Sequence, residues 1–358
     1  MIQGLVSVVM PCFNGQDFVV ESIRSILNQS YREIELIVID DASTDETYRL
    51  LCSESDPRIN LFRNPSNLGV VETRNLGFAK AKGEFIACMD QDDIAGENRL
   101  ERQVARFRMD SDLAVLGTGV EYIDAKGKCL RPPRLPPSTD AGIRWRLLSS
   151  NCIHHPTVMF RRSFFELPIY SHNFPDVEDW ELWLRIWGSR KFGSIPDRLL
   201  KHRRHSGSIS SQRHVIQREA MTQLLVGFVN RQFGFQISRD EALTLYDLTY
   251  WVLSKRSSRS PLQVMLDLRA AFLAASRATS RSEIREIDAD LAFFALRVLA
   301  AASSTVRDES RRSLFMILDA LKFLFSNPTA TGWALLHSTG LVYRSLIPSS
   351  RLSEKHRR

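Results

Sequence analysis

Asp90, Asp92 and Asp93 crowd into CMDQDD (88–93), directly after the apolar run EFIA. Carboxylates this close repel one another, and a divalent cation among them relieves the repulsion. Hard cations such as Mg²⁺ or Mn²⁺ select oxygen ligands. Magnesium typically takes one or two carboxylates and completes its shell with substrate phosphates. A solvated acidic turn could carry the same residues. What favours chemistry here is position, because the cluster ends a run that reads as a buried strand. A metal–diphosphate site is its natural occupant.

Four further clusters offer chemistry. In DDASTD (40–45), Asp40 and Asp41 stand where an ionised carboxylate can accept hydrogen bonds from a base or a ribose. Thr44 is expected to cap a helix running toward Leu51, with Asp45 and Glu46 favoured in its first turn. In PCFNG (11–15), Pro11 and Gly15 shape a strand-to-helix turn, and Asn14 can cap the helix that follows. VEDWELW (177–183) places Glu178 and Asp179 at a helix start, as residues favoured by the helix dipole or as a general base at the mouth of a site. HRRHSGSIS (202–210) reads as a basic solvated loop or as a flap over a diphosphate, with His202, Arg203, Arg204 and His205 meeting developing charge. The pair His154–His155 before Pro156 is ambiguous. Neither GxGxxG nor GxxxxGK[ST] occurs, which weakens a dinucleotide oxidoreductase or a P-loop NTPase.

The elements that must position these groups follow from periodicity. Short apolar runs at 5–10, 34–39, 59–62, 85–89 and 113–116 read as strands buried on both faces. Segments of helical spacing lie between most of them, as with Phe18, Ser22, Ile23, Ile26 and Leu27. Strand and helix alternating in this way predict an α/β domain with a mostly parallel sheet flanked by helices, Rossmann-like in type. Ligands of such sheets bind at the carboxyl ends of the strands. The polar clusters after strands one, two and four are therefore expected on one rim. RPPRLPP (131–137) predicts a loop, and Trp180, Trp183, Leu184 and Trp187 form the apolar stripe of a helix. From about residue 211 long helical patterns dominate. The expected division is a domain over 1–215, with a nucleotide-sugar half to about 117 and an acceptor half over 118–215, then a helical region over 216–358 of unassigned role.

Bulk properties bound the rest. The 358 residues are 44% hydrophobic and 25% charged, as in a soluble globular protein. The net charge of +7 suits an anionic ligand such as a nucleotide phosphate, a lipid phosphate or an acidic membrane face. Five scattered cysteines without metal-ligand spacing argue against zinc and fit a reducing compartment. The amino terminus does not read as a signal peptide, and no strongly apolar run reaches membrane-spanning length. The expected place is the cytoplasm. The basic tail RSLIPSSRLSEKHRR and the helices before it could touch an anionic membrane, or could serve a packed domain or a homo-oligomer interface. No nucleic-acid partner is expected.

Taken in order, VSVVMPCFNG, IELIVIDDASTD, NLGVVETRNLGFAKAKGEFIACMDQDD, HHPTVMFRR, EDWELWLRIW and HRRHSGSIS resemble glycosyltransferase family 2, enzymes of the GT-A fold. The resemblance covers residues 5 to about 211. Each piece is weak alone, and six in order are specific. Ala42 stands where the family commonly has glycine, and Arg203–Arg204 precede His205 where an aromatic residue often stands nearby. The resemblance implies that Pro11 lines the base pocket and Asn14 helps to form it. It implies that Asp41 recognises a uracil-type base and that Asp92 contacts ribose or sugar. Asp93 would bind Mn²⁺ or Mg²⁺ with help from Asp90. Asp179 would be the catalytic base, Glu178 would position acceptor or donor, and His205 would stand near the diphosphate. It further implies a nucleotide-diphosphate sugar donor, with UDP the commonest nucleotide, and inverting transfer to a saccharide or lipid-linked acceptor. Such enzymes commonly serve bacterial surface-polysaccharide synthesis. Two readings compete: a nucleotidyltransferase that makes a sugar nucleotide, and a non-catalytic scaffold. The first usually needs a basic glycine-rich loop after strand one, which PCFNGQD lacks. The second would not need every expected carboxylate.

Overall fold

The computed structural model describes residues 1–174, 176–208, 213–249, 259–276, 280–305 and 311–331. By its internal contacts the chain divides into two units. One comprises residues 1–143 and 151–217. The other joins residues 144–150 to those from 218 onward.

The first unit is α/β. Its strands are β1 (Ile2–Cys12), β2 (Ile34–Asp40), β3 (Ile59–Arg63), β4 (Gly83–Cys88), β5 (Ile94–Ala95), β6 (Leu113–Asp124), β7 (Met159–Arg161) and β8 (Lys191–Arg204). They form one sheet in the order β3-β2-β1-β4-β7-β6-β8-β5. β1 pairs in parallel with both β2 and β4, β2 with β3, and β6 with β8. β7 and β5 run antiparallel to their neighbours. The helices are α1 (Val19–Leu27), α2 (Thr47–Ser53), α3 (Val70–Lys80), α4 (Arg99–Met109), α5 (Asp140–Arg146) and α6 (Glu178–Ile186). α5 ends in the segment that belongs to the second unit.

All seven residues of β2 are buried, as a continuous apolar run demands of a strand covered on both faces. The parallel register sets Cys12 beside Asp40 and Val9 beside Cys88, so the ends of β2, β1 and β4 lie next to one another. That register makes one rim from three distant segments. α3 lies close on the sheet at Gly77, where an added Cβ would fall 2.3 Å from Val9 Cγ1. Trp180, Trp183, Leu184 and Trp187 are all buried, as the spacing predicts, and Trp183 stacks on Phe160.

Two expected caps are absent. α2 begins at Thr47, after Glu46, and Thr44 makes no cap there. α1 begins after Phe18 and has no side-chain cap, so Asn14 does not cap it. The reason is that Asn14 and Thr44 bind each other's loops instead, Asn14 Oδ1 accepting from Thr44 N at 2.9 Å.

The second unit is helical, with α7 (His214–Phe233, whose first residues belong to the first unit), α8 (Arg239–Thr249), α9 (Pro261–Ala275), α10 (Arg281–Thr305) and α11 (Arg311–Ser326). The 144–150 segment is held there by Arg146, which donates to Asp290 at 2.8 Å, and by Trp145 edge-on to Phe272. Among the described residues no helix is long and apolar enough to cross a membrane. The basic tail that could touch an anionic membrane lies outside the described residues.

Candidate active site

The three strand tips are stitched together by hydrogen bonds. Between the first and second, Asn14 N donates to Ser43 Oγ at 3.0 Å and Gly15 N to Thr47 Oγ1 at 2.7 Å. Between the first and fourth, Phe13 N donates to Gln91 Oε1 at 2.9 Å and Gln91 Nε2 donates back to Phe13 O at 2.8 Å. Gly15 makes room for that amide, which would lie 2.2 Å from an added Cβ. Ser22 of α1 donates to the backbone oxygens of Gln91 and Asp93 at 2.7 and 2.5 Å. Pro11 is partly exposed at the end of β1. Ala42 has φ 58°, in the left-handed region that favours glycine, the residue that the family resemblance would put there.

The two aspartates of the second tip face inward. Asp40 is fully buried, paired with Arg63 Nε at 3.1 Å. Asp41 accepts from Asn64 Nδ2 at 2.7 Å, Leu68 N at 2.9 Å and Gly69 N at 2.9 Å, and so organises the 64–69 loop. At 4% exposure its carboxylate is engaged inside the protein by all three.

The acidic tip separates its three carboxylates by burial. Asp93 has no exposed side-chain surface. Its Oδ1 accepts from Arg203 N at 2.9 Å and its Oδ2 from His202 Nδ1 at 3.1 Å. Burial pushes Asp93 up to about 6, against the pull of His202. Burial alone would lower His202, but the charge and hydrogen bond of Asp93 raise it to about 9. Asp92 and Asp90 keep 20% and 27% of their side-chain surface exposed. His205 Nε2 meets Asp92 Oδ2 at 2.8 Å, and the His205 ring leans on Phe18 at 4.9 Å. Arg203 does not face a diphosphate. It is 3% exposed, donates to Asp92 O at 2.8 Å and Glu21 Oε2 at 2.6 Å, and staples the acidic loop from behind. Arg204 is exposed and lies over the Tyr122 ring at 3.9 Å.

At the start of α6 stand Glu178, 5% exposed, and Asp179, partly exposed. Asp179 Oδ2 accepts from Asn151 Nδ2 at 2.7 Å, and Oδ1 from Trp180 N at 2.7 Å. Burial, and then the Glu178 charge, push Asp179 up to about 6, while Asn151 and Arg74 pull it down. A carboxylate near 6 suits general-base work at neutral pH. Buried Arg74 of α3 pairs through Nη1 with Glu178 and through Nη2 with Asp90 at 3.1 Å. One guanidinium thus links the acidic loop to the helix of Asp179.

Among the described residues no group of three or more metal-ligating side chains converges. The donor set nonetheless fits Mg²⁺ or Mn²⁺ as a diphosphate-completed site. Such an ion needs only one or two carboxylates from the protein. Asp92, beside the His205 imidazole, and Asp90 have accessible oxygen, whereas both Asp93 oxygens are occupied inside the protein. The family resemblance implies the ion on Asp93 with help from Asp90, and Asp92 on ribose or sugar.

Arg74, Asn151, Gln91 and Ser22 carried no role in the sequence reading. Arg74 had a visible signal. Val71, Arg74, Asn75 and Phe78 share the buried face of α3, and a cation on a buried face requires a carboxylate partner. Asn151 had none, because nothing in its surroundings points to a residue 28 positions away. The His154–His155 pair also resolves. His155 is buried 2.7 Å from Tyr170 Oη, and burial holds it well below the usual histidine range.

The sequence model of the glycosyl transferase family 2 domain matches residues 7–167. An uncharacterized glycosyltransferase of Haemophilus influenzae is 32% identical over 188 residues, covering 51% of this chain and 72% of its own. The UDP-Glc:alpha-D-GlcNAc-diphosphoundecaprenol beta-1,3-glucosyltransferase WfgD of Escherichia coli is 33% identical over 215 residues, covering 58% of this chain and 81% of its own. Among solved structures, residues 1–349 of S. aureus TarS in complex with UDP-GlcNAc match with a TM-score of 0.55 at 18% identity, covering 88% of each chain, a likeness of fold.

Proposed function

The chain belongs to glycosyltransferase family 2, and from that premise we propose that it moves one sugar, with inversion, from a nucleoside-diphosphate sugar to a hydroxyl of a saccharide or lipid-linked acceptor. UDP is the nucleotide proposed, and bacterial cell-surface polysaccharide synthesis the setting. The observation that carries this reading is the Arg74 bridge, which sets the acidic loop and the helix of Asp179 against one another. Support for the donor and setting comes from WfgD, whose name states a UDP-Glc donor and a diphosphoundecaprenol-linked sugar acceptor.

Pro11, Asn14 and the loop that Asp41 organises form the wall for the base. Glu178, held by Arg74, lines the sugar side. Asp92 and Asp90 would hold Mg²⁺ or Mn²⁺, which would supply a Lewis acid for the charge of the departing diphosphate. His205 stands against Asp92 on that side and orients its carboxylate. Asp179 accepts the proton of the acceptor hydroxyl as its oxygen bonds to the anomeric carbon. The bond from that carbon to the diphosphate oxygen breaks in the same displacement, and the electron pair leaves with the nucleoside diphosphate. A single displacement inverts the anomeric centre and needs no covalent glycosyl-enzyme. General-base help is worth roughly 10²–10⁴-fold.

The test is a screen of nucleotide sugars with Mn²⁺, reading nucleoside diphosphate release, alongside Asp179→Asn. The expected result is release from a UDP-sugar, lost in D179N while UDP binding persists. Release from no donor, or full activity of D179N, would overturn the reading.

A further inference from the structure

We propose that Asn151 is a positioning residue for Asp179, holding one oxygen of that carboxylate so that the remaining lone pairs face the acceptor hydroxyl. This rests on the reading of Asp179 as the general base.

The geometry is specific on three counts. Asn151 Nδ2 donates to Asp179 Oδ2 at 2.7 Å, while Oδ1 of the same carboxylate accepts the Trp180 backbone N–H at 2.7 Å. The terminal torsion of an aspartate is otherwise broad and two-fold. A donor on each oxygen fixes it, because rotation would break both bonds. Second, the amide of Asn151 is itself oriented. Its Oδ1 accepts from Ile153 N at 3.3 Å, so the NH₂ end is the one left for the carboxylate. Third, the support is packed, since Cys152 and Ile153, which follow Asn151, are 9% and 3% exposed. Each carboxylate oxygen keeps a lone pair for the reaction.

Position and ionisation are then set by the same contact. Among the described residues the charged groups facing Asp179 are Glu178, its neighbour on α6, and Arg74 from α3, which is paired with Glu178. Burial, and then the Glu178 charge, favour a protonated Asp179, which cannot act as a base. The Asn151 amide and Arg74 oppose them. A hydrogen bond donated to the ionised form favours that form. Asn151 thus offsets part of what its carboxylate neighbour does, without a charge that would bind the ion or the diphosphate.

The experiment uses the full chain, wild type and the variants Asn151→Ala, Asn151→Asp and Asp179→Asn. The carboxyl ¹³C signal of Asp179, assigned by its absence in D179N, is titrated. The rate of UDP release from UDP-glucose and UDP-N-acetylglucosamine with Mn²⁺ is followed over the same pH range. In N151A the Asp179 midpoint and the acid limb of the rate should both move up by about one to two units. UDP affinity should stay as in wild type. N151D keeps the side-chain shape and replaces the donor by a second carboxylate, so it should move the midpoint further, and it serves alone if N151A does not fold. A purely structural asparagine would lower rate and melting temperature with the midpoint unmoved. That result, with D179N inactive, overturns this inference alone. Full transfer by D179N would take down the base assignment and this inference with it.

Discussion

Gln91 and Phe13 exchange two hydrogen bonds, the side-chain amide of one pairing with the backbone of the other at 2.8 and 2.9 Å across 78 residues of chain. The middle residue of the acidic D-x-D thus acts as a strand-like clip on the loop after β1. Gln91→Ala removes both bonds, worth about 1 kcal/mol each. The KM for donor and the Kd for UDP should each rise roughly ten-fold, with kcat little changed. Gln91→Glu should be worse, because it cannot donate to Phe13 O and adds a carboxylate to three others. Calorimetric titration with UDP and Mn²⁺ checks both, and unchanged affinity in Q91A would remove the clip from nucleotide binding.

Arg74 neutralises Glu178 where water cannot. Arg74→Met should therefore destabilise the protein by about 3–5 kcal/mol, the cost of a buried charge left without its partner. Adding Glu178→Gln should restore part of that loss, read from urea midpoints. Strict additivity of the two losses would show that the bridge does not couple them.

Asp92 and Asp93 should separate by phenotype. Asp92→Asn should leave the melting temperature of the free protein near that of wild type and abolish the stabilisation expected of wild type with Mn²⁺ and UDP. Asp93→Asn should lower the melting temperature without ligand, since it disturbs a buried carboxylate bonded at both oxygens. The reverse pattern in a thermal-shift assay would return the ion to Asp93.

His202 makes stability depend on pH. Folded, it holds its proton up to about 9, against about 6.5 unfolded, so the folded state binds the proton more tightly. That contribution is complete below about pH 6.5 and is lost as pH rises through 9. Melting temperature should fall over this window, and His202→Gln should flatten the fall. Equal slopes in the two proteins would show that the pair does not titrate as described.

The strands and helices of the first unit were legible because burial on two faces leaves continuous apolar runs, and burial on one face leaves a helical stripe. The Trp180–Trp187 stripe and the run that became β2 are local patterns of this kind. The caps misled because Thr44 and Asn14 had a partner nearer in space than their own helices. The same reason governs the acidic loop, where the accessible Asp92 and the buried Asp93 are adjacent in the chain.

The sequence by itself determined the α/β alternation, the placing of polar clusters after particular strands, and the order of motifs that identifies the family. These depend on spacing along the chain. Only the tertiary structure decided which carboxylates stay accessible, that Arg74 meets a glutamate 104 residues away, and that Asn151 bonds to Asp179. A hydrogen bond is decided within about 3 Å in space. Periodicity records which face of an element is buried, and not which atom lies across from it.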